Sequence, residues 1–172
     1  MNRLAGLSWV IFLCAAAAQP ADPWQPLRFL VGEWTAEGDG APGQASGAFS
    51  FQLDLEAKVL VRRNRADYPA AANRPALHHE DLMVIYPEPA ARIFRAVYFD
   101  NEGHIIHYQA EAVGDTLRFL SEAAAAQPRY RLTYRPTGRD TLTVDFEIAP
   151  PGKPEGFARY GGGTARRKMT TK

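Results

Sequence analysis

The sequence predicts an all-β chain folded as an antiparallel up-and-down barrel of about ten strands. Three observations predict it: period-two alternation of apolar and polar residues, turn chemistry at short intervals, and no long amphipathic helix after residue 18. The alternation is clearest where Phe49, Phe51, Leu53 and Leu55 interleave with Ser50, Gln52, Asp54 and Glu56. Leu142, Val144, Phe146 and Ile148 interleave with Thr141, Thr143, Asp145 and Glu147 in the same way. A helical reading of these runs would scatter their apolar groups around the axis.

The chain opens with Arg3, an apolar run from Leu4 to Ala18, and a small-residue exit at Ala15–Ala18. Those features read as a secretory signal over residues 1–18, with cleavage before Gln19. The fifteen apolar residues are short for a membrane span. Cleavage removes Cys14 and leaves residues 19–172 as one β-barrel domain, with residues 169–172 frayed at its end. From Asp22 to Leu30, Pro23 and Pro26 limit strand pairing, and a short helical turn would point Trp24, Leu27 and Leu30 at a core.

The strands expected after that turn are 33–38, 46–55, 58–67, 79–86, 91–99, 104–112, 116–122, 129–136, 141–149 and 157–167. Gly114-Asp115 and Thr137-Gly138-Arg139-Asp140 supply tight turns, and Asp100-Asn101-Glu102-Gly103 ends on a glycine that tolerates positive φ. Pro87-Glu88-Pro89 and Pro150-Pro151-Gly152 mark sharper breaks. Gly161-Gly162-Gly163 lacks the pattern of a phosphate loop and reads as a bulge or a close backbone approach. An open sheet of this width would leave two adhesive edges, so closure into a barrel is preferred to the alternative, a β-sandwich. Too many carboxylates and arginines would face outward for a membrane barrel.

Gly32-Glu33-Trp34, followed by Glu37-Gly38, places a Gly-x-Trp element on the first strand. With the strand count and spacing over residues 27–167, it resembles the calycin superfamily of barrels, in particular lipocalin-like and nitrobindin-like exported proteins. The resemblance implies that Gly32 and Trp34 are structural, the ring packing across one barrel end. Nitrobindin-like proteins bind haem through a late-strand histidine. The last strands here, Thr141–Ile148 and Phe157–Lys168, contain none, so haem is disfavoured and no cofactor is expected.

Composition narrows the function further. The 172 residues carry 20 Lys+Arg against 19 Asp+Glu, which leaves no field to collect nucleic acid. A single cysteine excludes an internal disulfide and any multi-thiolate metal site. Arginine outnumbers lysine sixteen to four, so the position of each arginine carries the information.

Several polar groups share strand faces with apolar ones. Arg95 lies with Ile93, Val97 and Phe99; His107 and Gln109 lie with Ile105; Arg63 and Arg65 follow Val59 and Val61. A solid core would not accept these charges unpaired. One reading places Arg63, Arg65, Arg95, His107 and Gln109 around an internal cavity, where arginine fixes an acidic group and apolar walls hold the remainder. The other turns the arginines outward, or pairs them with Glu111 and Asp67. His78-His79-Glu80-Asp81 alternates across a strand, so it supplies no metal site without His104 or His107 from elsewhere. Ser50 and Ser121 lie in no nucleophile elbow, and no catalytic residue is assigned.

The function expected is therefore that of a periplasmic or secreted barrel binding a small apolar or amphipathic molecule, with or without an anionic group. Nucleic acid and stable membrane insertion are not expected. The alternatives are a structural or protein-interaction barrel without a small ligand, and a hydrolase or metal-dependent enzyme built on the histidine/acid set.

Overall fold

Ten strands, each hydrogen-bonded antiparallel to the next, close on themselves in the computed structural model, which describes residues 22–37, 46–70, 75–88 and 93–169. They are β1 (Gly32–Glu37), β2 (Ser46–Asp54), β3 (Val59–Tyr68), β4 (Leu77–Glu88), β5 (Ile93–Asp100), β6 (Ile105–Val113), β7 (Thr116–Ser121), β8 (Arg129–Gly138), β9 (Thr141–Ala149) and β10 (Ala158–Arg167). The signal reading of residues 1–18 and the chain end at 170–172 lie outside the described residues. Closure replaces the sandwich alternative, and it leaves no unpaired sheet edge.

Alternation drives the packing. Phe51, Leu60, Met83, Ile85, Leu117 and Phe119 point inward and are fully buried, each worth roughly 1.5–3 kcal/mol of apolar transfer. Aromatic rings fill the centre edge to face: Tyr134 meets Phe51 at 5.4 Å and Phe119 at 6.1 Å. The outer faces carry ion pairs that account for much of the arginine enrichment. Arg131 meets Glu147 through two contacts of 2.6 Å, Arg95 meets Glu88 at 2.7 Å, and Arg118 meets Glu111 at 3.6 Å. The more exposed of these pairs add little stability each, whereas the two-contact, half-buried Arg131–Glu147 pair holds β8 to β9.

One end of the barrel is plugged. A 3-10 helix (Gln25–Leu30), started by Pro26 near its N-terminus, buries Leu27 and Leu30 completely. Trp24 stacks on Phe94 at 5.5 Å and donates its indole N–H to the Ala57 carbonyl at 2.8 Å. Ala57 belongs to the β2–β3 turn, where Leu55, Glu56 and Ala57 all hold positive φ (49°, 55° and 61°). Left-handed backbone is costly for residues with a Cβ, and here Lys58 N–H ties the turn back to Asp54 O at 3.1 Å. Leu55 was expected inside on alternation; the strand ends at Asp54, and Leu55 stands exposed on the turn. Pro87 was expected to break its strand; it pairs with Phe94 near the end of β4.

The seam between the first and last strands pairs Trp34 with Arg167. The Trp34 ring is buried, its N–H donates to Leu30 O at 2.8 Å, and the Arg167 guanidinium lies 4.2 Å over its centre. Arg167 also donates to Val31 O at 2.5 Å and Phe29 O at 2.8 Å, so one side chain fastens plug, first strand and last strand together. Gly32 is required beside it: φ is +129°, and a Cβ would sit 2.7 Å from Arg167 Nη1. The glycine run behaves as expected, with a register shift between Arg159 and Gly161. At Gly162 a Cβ would lie 2.1 Å from the Val144 carbonyl oxygen, which only glycine avoids.

Replacing Arg167 with alanine should cost about 2–3 kcal/mol, because two charge-assisted hydrogen bonds and the ring contact vanish together; urea denaturation measures it. Replacing Glu56 with glycine should raise stability by about 0.5–1 kcal/mol, as the left-handed penalty exceeds glycine's entropic cost. A fall in the thermal midpoint of that variant would contradict the strained-turn account.

Candidate functional site

The end opposite the plug carries polar groups on its inner face. In β3, Leu60, Arg62 and Asn64 point inward; in β4, His79 and Asp81 continue the row that begins with Met83 and Ile85. The Arg62 and Asp81 side chains are only 8% and 3% exposed, and they form a direct ion pair through Arg62 Nη1 and Asp81 Oδ1. Asn64 donates to the other carboxylate oxygen at 2.8 Å. Burial alone would raise Asp81, but the Arg62 charge, His79 and Asn64 together hold its carboxyl below the ordinary value. Removing either partner would strand a buried charge, the costly case for such pairs.

His79 connects this buried pair to the rim. Its Nε2 lies 3.3 Å from Asp81 Oδ2 and 3.2 Å from the Tyr98 hydroxyl, and its Nδ1 lies 2.9 Å from Glu102 Oε1. Tyr98 in turn donates to Asp100 Oδ2 at 3.1 Å, and His104 Nδ1 meets the same oxygen at 2.8 Å. Both ring nitrogens of His79 therefore face acceptors, which suits the doubly protonated imidazolium. The hydrogen bond to Asp81, with help from Glu102 and against partial burial, raises His79 to about 9. A histidine so committed has no free nitrogen to serve as a general base.

Across the mouth the wall is aromatic. Tyr130 stacks on Phe146 at 6.1 Å, and Tyr160, 75% exposed, meets the edge of Phe146 at 5.9 Å. Burial raises Tyr130 above its ordinary value, with a smaller push from the Asp100 charge. Below them, Arg62 Nε and the Tyr134 hydroxyl are buried without a well-formed hydrogen bond among the described residues, although the hydroxyl and the Arg62 guanidinium interact with each other. Burial pushes the Tyr134 hydroxyl up to about 12, against a smaller opposing pull from Arg62, so it stays protonated and can donate.

The five residues expected around an internal cavity all point outward. Arg63, Arg65, His107 and Gln109 are exposed, and Arg95 is half-buried against Glu88. The alternation was read with the wrong hand in β3, β5 and β6: neighbouring Arg62, Tyr98 and Tyr108 take the inner face. Arg65 does pair with Asp67, at 3.4 Å, on the outside. Glu111 pairs with Arg118 rather than with the arginines considered for it. His107 sits opposite Val97 on the outer face, so it does not join His79. Ser121 is spent on structure, accepting from Tyr130 N–H at 2.8 Å, and Ser50 lies on the outer face of β2. No group of three or more His, Cys, Asp or Glu is placed to hold a metal ion among the described residues. Among the same residues no helix is long and apolar enough to cross a membrane.

Comparison of the chain with models of known families gave no match. A search of curated proteins gave no match either. The function must therefore be read from the side chains themselves.

The raised His79 carries a pH signature. Unfolded, the imidazole returns toward 6.5; folded, it holds its proton to about 9. Its contribution is thus complete below pH 6.5 and fades as pH rises through 9. Denaturation midpoints measured across that window should fall with pH in the wild type, and the part of the fall due to this group should be missing in His79→Gln.

Proposed function

We propose that the protein is an exported small-molecule-binding barrel whose ligand enters the open end and directs a hydrogen-bond-accepting group toward Arg62 and Tyr134. The observation that carries this reading is the pair of buried donors, Arg62 Nε and the Tyr134 hydroxyl, which make no well-formed hydrogen bond among the described residues, beneath a half-buried inner face. Buried polar atoms are almost always satisfied, and a ligand or an ordered water is the usual partner when protein atoms are not. The aromatic wall of Tyr130, Phe146 and Tyr160 would take the apolar part of the ligand. The chemistry is the one expected from sequence, an arginine for the polar end and an apolar wall for the rest, transferred to Arg62. Asp81 already neutralises that arginine, so a neutral acceptor or a delocalised anion fits better than a concentrated charge.

The run from Arg3 to Ala18 supports export. A closed meander with one plugged end, and a Gly32–Trp34 element locked at the seam, supports the calycin-type reading. The enzyme alternative is less favoured, since both His79 nitrogens are engaged.

The test uses Tyr134→Phe, which deletes a buried hydroxyl that makes no well-formed hydrogen bond among the described residues. Titration with 8-anilino-1-naphthalenesulfonate, followed by fluorescence, should show about tenfold weaker binding in the variant. Its thermal midpoint without probe should equal or exceed that of the wild type, because an unsatisfied buried group is gone. Unchanged probe affinity would overturn the proposal, and a large loss of stability would show that the hydroxyl serves the fold instead.

A further inference from the structure

Outside the barrel, a groove of about 650 Å³ crosses β1 to β5. Its floor is the row Trp34, Phe49, Asn64, Asp81 and Asp100, residues paired strand to strand whose side chains turn inward. Its banks are two rows of outward side chains, one running from Glu33 through Ser50, Arg63 and Leu82 to Phe99, the other ending at Arg65, Glu80 and Asn101. The groove is mixed in character rather than simply polar, for Leu82 and Phe99 stand beside the arginine.

The charges in it are nearly all spoken for. Lys168 lies 3.2 Å from Glu33, Arg65 3.4 Å from Asp67, and Glu80 3.2 Å from His78. Asp81 is held by Arg62, and Asp100 by His104 at 2.8 Å. Arg63 is the exception: it is exposed and has no ion-pair or hydrogen-bond partner among the described residues. It stands between Ser50 on β2 and Leu82 on β4, directly across from each. The apolar side of the row then continues through Phe99, 39% exposed, to Ile105 on β6, 64% exposed. From Arg63 to Ile105 is three inter-strand steps, roughly 14 Å.

We infer that this groove binds a free, medium-chain amphipathic monoanion, its carboxylate or sulfate on Arg63 and Ser50 and its chain laid over Leu82, Phe99 and Ile105. One uncompensated guanidinium selects one negative charge, and its planar fork suits a two-oxygen head group. The three apolar side chains lie in a line on successive strands, which matches an extended chain better than a compact ring. This site is separate from the lumen: Arg63 and Arg62 lie on opposite faces of the same strand.

Dodecanoate, titrated below its micelle concentration and followed by calorimetry and by amide chemical shifts, tests the inference. The expected result is one site, with shifts centred on Ser50, Arg63, Leu82 and Phe99. Arg63→Gln should weaken binding at least tenfold, Phe99→Ser at least fivefold, and Arg63→Lys by an intermediate factor of about three to ten, because the charge stays while the fork is lost. Arg118→Gln, a cation on a remote outer face, should change nothing, and thermal melts should show every variant folded. In the wild type, dodecyltrimethylammonium should bind at least tenfold more weakly than dodecanoate. Wild-type affinity in Arg63→Gln, or equal binding of the cationic amphiphile, would overturn the inference. So would shifts centred on Tyr130 and Phe146, which would place the anion in the lumen instead. Binding to dodecanoate-free anionic phospholipid vesicles at the same strength would assign Arg63 to a lipid surface and equally overturn it. Tyr134→Phe should leave groove binding untouched, so the lumen reading and this one fail separately.

Discussion

Closure of the barrel depends on a contact between residues far apart in the chain: Arg167 clamped over Trp34. Together the two side chains tie the plug, the first strand and the last strand at a single point. The guanidinium satisfies two carbonyls at the C-terminal end of the 3-10 helix, where helix geometry leaves acceptors without partners. Its flat face then covers the one large ring of β1. With that seam shut, all ten strands have two neighbours. The requirement for glycine at position 32 follows from the same contact, since a Cβ there would occupy the space of the guanidinium.

Within the closed wall, the inner face must either be apolar or resolve its charges internally. The end near the plug takes the first course and the opposite end takes the second. Arg62, Asp81, Asn64, His79, Tyr98 and Asp100 form one connected chain of polar contacts running from deep interior to rim. A network of this type costs desolvation and returns directional constraint. It fixes the β5–β6 turn to β4 through Glu102, and so ties the shape of the mouth to a charged core.

Much of the fold was legible in the sequence, because β2 and β9 alternate cleanly and the turns between strands carry Gly, Asp and Asn. The facing of β3, β5 and β6 was not. Val59-Leu60-Val61, Ile93-Phe94 and Ile105-Ile106 put apolar residues on both faces, so a period of two is visible but its phase is not. The phase was nonetheless implicit in a neighbour. Phe51 pairs with Arg62 and Phe49 with Asn64, so the unambiguous inner face of β2 dictates that of β3. Carrying the facing across the hairpin would have selected Arg62 over Arg63. The left-handed turn at 55–57 carried no such signal, since none of its residues is a customary turn former. Nor could pairing show that Arg63 would be the lone unmatched cation of its groove, because that depends on which carboxylates the other cations reach.

The two poles of the barrel differ in how they are held. At the plugged pole, buried apolar side chains and a wedged indole leave little room for partial opening; at the other, half-exposed rings and ionic contacts hold the ends of the strands. Local opening draws on the least-buried contacts first. Amide exchange should therefore run as a gradient along the barrel axis, slow around the 3-10 helix and fast toward the β5–β6 turn, so that the molecule breathes from one pole without loosening the other.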